Sequence, residues 1–190
     1  MEPQDSYLIQ EYESAVKLTF HIDELRNKLS SIFLSLTTIF GGIVALLFEN
    51  KILNNDIDQY KSLSLIMIFI SVIGFIMICI LGRLRKVQFE HFNIINNIRG
   101  YFIGNDDKLK EVVILNNNTL PKETLYSGSY LWSAIIMIGS SIIFAFAMHL
   151  NNFTDSQASD PNYMIGWFIV FFLVCNAAYF LLCRYTYQNK

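Results

Sequence analysis

The residues in this sequence that could take part in chemistry are few, and most are cations that follow an apolar run. Arg83, Arg85 and Lys86 form a basic cluster, and His91 and Arg99 lie further along the same segment. Such a cluster can fix the orientation of a membrane protein and reach lipid headgroups, or it can offer a docking surface to an anionic partner. These five residues are therefore candidates for an interaction site, and the sequence does not choose between the two roles.

Histidines, carboxylates and cysteines give little support for a metal site or an enzyme. His21 and Glu24 can approach His91 if their segments pair, but zinc sites usually show denser ligand spacing. Three cysteines lie inside apolar runs, where a free thiol acts as a small apolar residue: Cys79, Cys175 and Cys183. The sequence has no Gly-rich phosphate loop and no HExxH, CxxC or GxSxG motif. We expect a protein that is not an enzyme and that needs neither a metal nor another cofactor.

The elements that must position these residues are membrane spans. Four apolar runs lack Asp, Glu, Lys and Arg, and they cover residues 31–48, 63–82, 130–150 and 163–183. About 20 helical residues cross the hydrocarbon core of about 30 Å, so each run is long enough to span a bilayer. The chain has 16% charged residues, whereas an ordinary soluble domain has about 25%. We predict an all-α polytopic membrane protein with four transmembrane helices.

The distribution of cations predicts the orientation of the chain. With four spans, the segments on one side are 1–30, 83–129 and 184–190, and those on the other side are 49–62 and 151–162. The first group contains twelve Lys and Arg residues (three, seven and two), and the second contains two. Short segments rich in Lys and Arg stay in the cytoplasm. Both termini are therefore predicted to be cytoplasmic.

This orientation divides the chain into membrane hairpins and cytoplasmic segments. The predicted units are a cytoplasmic amphipathic helix (1–30), a first transmembrane hairpin (31–82), a cytoplasmic helix and connector (83–129), a second hairpin (130–183) and a short tail (184–190). The connector after Gly104 starts with turn residues and contains the β-branched run EVVIL. These features fit a small hairpin or an irregular link. The segment is too short to form a catalytic domain.

Two of the cytoplasmic segments carry apolar stripes at helical spacing. The stripe within residues 7–30 consists of Leu8, Tyr12, Ala15, Thr19, Ile22, Leu25 and Leu29. The stripe within residues 84–102 consists of Leu84, Val87, His91, Ile94 or Ile95, Ile98, and Tyr101 or Phe102. No Pro or Gly separates the first stripe from span one, so one continuous helix is expected to reach about 35 Å into the cytoplasm.

The two striped helices can pair with each other or lie flat on the bilayer surface. A helix that lies on the bilayer usually has a polar face rich in Lys and Arg. Residues 7–30 are net acidic, which favours pairing of the two helices below the membrane.

Small and polar residues within the spans indicate helix packing. Span one contains the sequence SLTTIFGG, with Ser35, Thr37, Thr38, Gly41 and Gly42. The pairs Thr37/Gly41 and Thr38/Gly42 allow close approach of helix backbones, either in the centre of the bundle or between copies of the chain. A pore-lining role for the same stripe is the alternative. Asn176 is the one amide inside a span, and we expect it to form an interhelical hydrogen bond.

Two stretches carry a resemblance to known proteins: HIDELRNKLSS, which runs into span one, and NIINNIRGYF, which follows span two. With the four-span layout, they make the chain similar to small membrane components of prokaryotic antiphage defence systems, including the membrane subunit of the Kiwa system and the SLATT-type effectors. The resemblance covers the architecture and carries over no active-site residue. It implies a sensor or effector in the bacterial inner membrane that works with a cytoplasmic protein partner.

The first functional hypothesis is a non-enzymatic antiviral defence subunit that forms homo-oligomers and couples the state of the lipid bilayer to its partner. It is not expected to bind nucleic acid directly. The alternative is a pore or channel that depolarises the membrane. A small-molecule transporter is disfavoured, because the spans contain none of the carboxylates or cations that transporters place within the membrane.

Overall fold

A computed structural model describes residues 3–49, 57–104, 128–151 and 161–184. These residues form four helices: α1 (Pro3–Glu49), α2 (Ile57–Ile103), α3 (Gly128–Asn151) and α4 (Pro161–Arg184). Within the described ranges only Gly104 lies outside a helix, and there is no strand. The predicted all-α fold is confirmed. The hairpin or irregular link that was expected after Gly104 falls on residues 105–127, which lie outside the described ranges.

All four helices are long and apolar enough to cross a membrane. The 24 residues of α3 and of α4 correspond to about 36 Å, close to the thickness of one hydrocarbon core. The 47 residues of α1 and of α2 correspond to about 70 Å, roughly twice that thickness. The chain is therefore a four-span membrane protein in which two helices continue well beyond the bilayer.

Hydroxyl groups inside the apolar helices do not interrupt them, because they bond to carbonyls of their own helix. Ser30 donates to the carbonyl of Arg26 at 3.0 Å, and Ser71 donates to that of Met67 at 3.0 Å. These bonds reach back four residues and remove the cost of a buried, unpaired hydroxyl. With no Pro after residue 3 in either helix, α1 and α2 pass from apolar to polar sequence without a break.

The second helix is the centre of the bundle. Helix α2 packs against α1, α3 and α4, and α3 packs against α4. Helix α1 makes a small contact with α3, and in the described residues it does not meet α4. The main core draws on all four helices and consists of Phe33, Ile78, Leu81, Tyr130, Ile136, Met137, Cys175, Tyr179 and Cys183.

Close approach of helices occurs at small residues of α2. A Cβ at Gly74 would lie 2.7 Å from Cβ of Ser140 and 2.9 Å from the ring of Phe33. Ser64, also on α2, donates a hydrogen bond of 2.7 Å to the carbonyl of Ala147 on α3. Helices α2 and α3 therefore meet as small-residue membrane interfaces do, with short side chains and interhelical hydrogen bonds.

The amide inside span four forms the expected interhelical hydrogen bond. Tyr130 of α3 donates to Oδ1 of Asn176 at 2.7 Å, and the amide nitrogen of Asn176 donates to the carbonyl of Phe172 at 3.1 Å. Both ends of the amide are thus engaged within the bundle.

Candidate functional site

The first two helices continue past the apolar runs as an antiparallel pair, here named the stalk: residues 7–30 of α1 and 84–102 of α2. At its far end, Arg99 donates a 2.9 Å hydrogen bond to the Tyr12 hydroxyl, and its guanidinium carbon lies 5.6 Å from the centre of that ring. Nearer the apolar runs, Gln88 donates to Asp23 at 2.8 Å. The two contacts lie eleven residues apart on each helix and follow opposite chain directions, so the helices are antiparallel. The expected pairing of the two helices is confirmed.

Where the stalk meets the apolar runs, four side chains form a hydrogen-bonded group, here named the polar cluster: Asp23, Arg26, Arg85 and Gln88. The Gln88 oxygen accepts from Arg85 at 2.7 Å and from Arg26 at 3.4 Å. Arg26 also donates to Oδ1 of Asp23 at 3.2 Å. The Gln88 amide therefore bridges one carboxylate and two guanidinium groups across the helix pair.

The polar cluster is largely removed from solvent. Gln88 is 2% exposed, Arg85 7% and Arg26 8%, whereas half of the Asp23 side chain is exposed. The Arg85 guanidinium carbon also lies 4.4 Å from the centre of the Phe89 ring, a cation–π contact. Arginines are seldom buried unless they are paired. Here Arg26 pairs directly with the Asp23 carboxylate, and Arg85 is linked to the same carboxylate through the Gln88 amide.

The buried face of α2 in the stalk differs in part from the predicted stripe. Ile95 and Ile98 are buried as expected, but Val87 is 37% exposed while Arg85 and Gln88 are buried. Apolar spacing alone assigns charged residues to the outer face, and this assignment is wrong here. A charged side chain can occupy an inner position when hydrogen bonds satisfy it, as they do in the polar cluster.

The five candidate interaction residues do not form one surface. Arg83 is exposed, Lys86 and His91 are half-buried, and Arg85 belongs to the polar cluster. Arg99 lies at the far end of the stalk against Tyr12. A docking role for these residues stays a prediction, and the exposed charge of Arg83 is the one most available to a partner.

Sequence reasoning missed Arg26, the buried α1 member of the polar cluster. It follows Asp23 by three positions, a spacing at which helical side chains are neighbours. That local pair was visible in the sequence. The contact with Gln88, 62 positions away, was not, because it depends on the register of the two helices.

Of the two histidines considered as metal ligands, His21 lies away from the helix interface. Nδ1 of His21 is 3.9 Å from the Glu24 carboxylate, and the His21 side chain is 60% exposed. Across the described ranges, no group of three or more His, Cys, Asp or Glu residues is arranged to hold a metal ion.

The small residues of span one face outward in the single chain. No atom of another described helix lies within 4 Å of the position that a Cβ would occupy at Gly41 or Gly42. Ser35 and Thr38 line an open groove of about 760 Å³ between α1 and α3, with Trp132 on its far wall. These residues therefore do not form the centre of the bundle, and contact between copies of the chain stays a prediction.

The polar cluster has the chemistry of a structural or binding junction. It contains guanidinium groups, an amide and one carboxylate, and none of its four members is a thiol, hydroxyl or imidazole nucleophile. Comparison with protein-family models, with curated proteins and with solved structures finds no match to this chain. Its function is therefore inferred from its own residues and their arrangement.

Proposed function

We propose that this chain is a non-enzymatic sensor subunit of an antiviral defence system, which couples the state of a bacterial inner membrane to a cytoplasmic protein partner. The four-span layout, with HIDELRNKLSS before span one and NIINNIRGYF after span two, resembles that of small defence components, and we take this resemblance as support for the role. The observation that carries the proposal is the continuity of α1, which runs as one 47-residue helix from an exposed span into the stalk.

The two ends of α1 have different surroundings, and this difference supports a sensing mechanism. In its most apolar 18-residue stretch, 11% of the residues are buried, against 39% for α2. The span of α1 therefore meets lipid or another copy over most of its surface, so a disturbance of the bilayer acts on it directly. Its other end is held against α2 by the polar cluster and by the hydrogen bond from Arg99 to the Tyr12 hydroxyl. A change in tilt of the span is then transmitted to the stalk.

The partner surface in this proposal is the stalk, with the termini in the cytoplasm. The excess of Lys and Arg on that side of the spans supports the orientation. Three aromatic side chains of α1 and α2 stand exposed there, Phe20 at 71%, Tyr7 at 65% and Tyr101 at 50%. Exposed aromatic residues outside the lipid are typical of protein-contact surfaces.

The proposal assigns the outward glycines of span one to contact between copies. Gly41→Leu combined with Gly42→Leu should leave the single chain folded, because no other described helix lies within 4 Å of either position. It should prevent close approach of two backbones and so abolish both assembly and defence. Assembly is measured by light scattering of the purified protein in detergent, and defence by plaque counts.

Gly166→Leu on α4 is the matched control, because it too adds a leucine at a glycine with open space around it. It should retain assembly and defence. If the Gly41/Gly42 variant keeps both properties, the sensing mechanism described here is wrong.

A pore is the second candidate, favoured by two hydroxyl side chains in the groove beside α1. Ser35 and Thr38 line this groove, and in an oligomer they would face a shared space. Current across planar bilayers that contain the purified protein separates the two candidates. No current under phage-derived or mechanical stimulation removes the pore, whereas a current that Ser35→Leu blocks supports it.

A further inference from the structure

The groove between α1 and α3 has the dimensions of a site for one lipid molecule. It extends along α1 from Asn27 to Ile39, with Trp132 of α3 on its far wall. These twelve residues of rise correspond to about 18 Å, close to the hydrocarbon depth of one leaflet, which is about 15 Å. Its volume of about 760 Å³ lies within the range of about 300 to 1,000 Å³ that is typical of small-molecule sites.

Three hydrogen-bond donors that line this groove have no partner within the described part of the chain. They are the hydroxyls of Ser31 and Ser35 and the indole N–H of Trp132, all on exposed side chains. By contrast, the nearby hydroxyls of Ser30 and Thr38 donate to carbonyls of their own helix. A donor that faces hydrocarbon without an acceptor is costly, and an indole N–H usually has a partner. Donors from two helices therefore need acceptors at the same place.

The donors without partners lie at the depth of the glycerol esters of a phospholipid. Ser31 is the first residue of the apolar run of α1, and Trp132 is the third residue of the run 130–150. Ser35 lies about 6 Å deeper than Ser31 at helical rise. This level is the boundary between headgroups and hydrocarbon, where ester carbonyls supply hydrogen-bond acceptors.

The deeper part of the groove needs no acceptor. It is lined by the apolar side chain of Ile39 and by Thr38, whose hydroxyl is already bonded within α1. A phospholipid has the same order of groups, with acceptors at the interface and apolar chains below them. A helix from a second copy would pack along the whole groove, and its backbone carbonyls would already be bonded within that helix. The arrangement of the donors therefore favours a lipid.

We infer that the groove between α1 and α3 binds one glycerophospholipid of the leaflet nearest the stalk. The ester carbonyls accept hydrogen bonds from Ser31, Ser35 and Trp132, and an acyl chain lies along Ile39. Such a lipid contacts α1 and α3 together, two helices whose direct contact is small. The inference does not rest on the proposed defence role, because lipid binding is a property of the purified chain.

The test measures lipid binding to the full chain by native mass spectrometry in dodecyl maltoside, a detergent without ester groups. The two probes are phosphatidylglycerols with the same headgroup and chain lengths, one ester-linked and one ether-linked. The ester lipid should bind with a stoichiometry of one per chain at the tightest site. The ether lipid lacks both carbonyls, so its apparent Kd should be about tenfold weaker.

The variant that tests the site combines Ser31→Ala, Ser35→Ala and Trp132→Phe, which removes all three donors and keeps an aromatic ring. The ester and ether lipids should bind equally well to this variant. Thr38→Val is the matched control, because it removes a hydroxyl of the same groove that is bonded within its own helix. It should keep the tenfold preference for the ester lipid.

Three results would overturn the inference. The first is equal binding of the two lipids to the unmodified chain, and the second is a preference for the ester lipid that survives the loss of all three donors. The third is a change in the mass of the assembled protein in the triple variant while lipid binding stays the same. That last result would assign the groove to a second copy of the chain.

Discussion

Helices α1 and α2 have the same length and contain apolar runs of similar length, yet they occupy different places in the bundle. Helix α2 contacts every other helix, whereas the span of α1 is mostly exposed beyond Phe33. Each span contains two glycines. Those of α2, Gly74 and Gly82, have atoms of neighbouring helices within 3.3 Å of a Cβ, and those of α1 have none within 4 Å among the described residues. A small residue allows close packing but does not show where packing occurs.

The largest expected effect comes from Phe33, the large side chain by which the α1 span enters the main core. Phe33 is 1% exposed, so Phe33→Ala leaves a cavity at the meeting point of the helices and should destabilise the fold by about 3 kcal/mol. Phe69 of α2 is 65% exposed, and Phe69→Ala should change stability by less than about 0.5 kcal/mol. Unfolding in mixed detergent and denaturant measures both. If Phe33→Ala and Phe69→Ala lower the free energy of unfolding by similar amounts, the difference in burial between these two side chains is not as described.

A smaller effect should separate the glycines of the two helices. Gly74→Leu places atoms where Ser140 and Phe33 already lie, and such overpacking costs about 1 to 3 kcal/mol. Gly42→Leu should leave the stability of the monomeric chain unchanged. The comparison is made by unfolding at protein concentrations where light scattering finds monomers. If the Gly42 variant unfolds as readily as the Gly74 variant, the span of α1 is packed more tightly than described here.

The smallest expected effect concerns one hydroxyl on each helix. The Ser64 hydroxyl bonds to Ala147 of another helix, whereas the Thr38 hydroxyl bonds to Leu34 of its own helix at 2.8 Å. Interhelical hydrogen bonds in membranes contribute about 0.6 kcal/mol on average. Ser64→Ala should therefore lower the free energy of unfolding by about that amount, while Thr38→Val should not. If only Thr38→Val lowers the free energy of unfolding, the assignment of α2 as the central helix is wrong.

The sequence predicted the elements well and their contacts less well. The four spans and the unbroken passage of α1 through Ser30 follow from apolar runs and from the lack of Pro, which are local properties. The interhelical bond of Asn176 was also predictable, because an amide inside a span needs a partner. Arg85 and Gln88 are buried, and helices approach closely at Gly74, because of contacts between segments that are distant in the sequence. The spacing of apolar residues along one helix does not encode such contacts.

The central place of α2 also constrains the order in which the bundle can assemble during synthesis. Helix α1 emerges first, but its stalk contacts do not exist until residues 84–102 have been made. The earliest contact between distant parts of the chain is therefore the closure of this helical hairpin, including its end outside the lipid. Phe33 meets its neighbours on α3 only after that helix has inserted. The hairpin of α1 and α2 can thus serve as the template on which the second half of the chain folds.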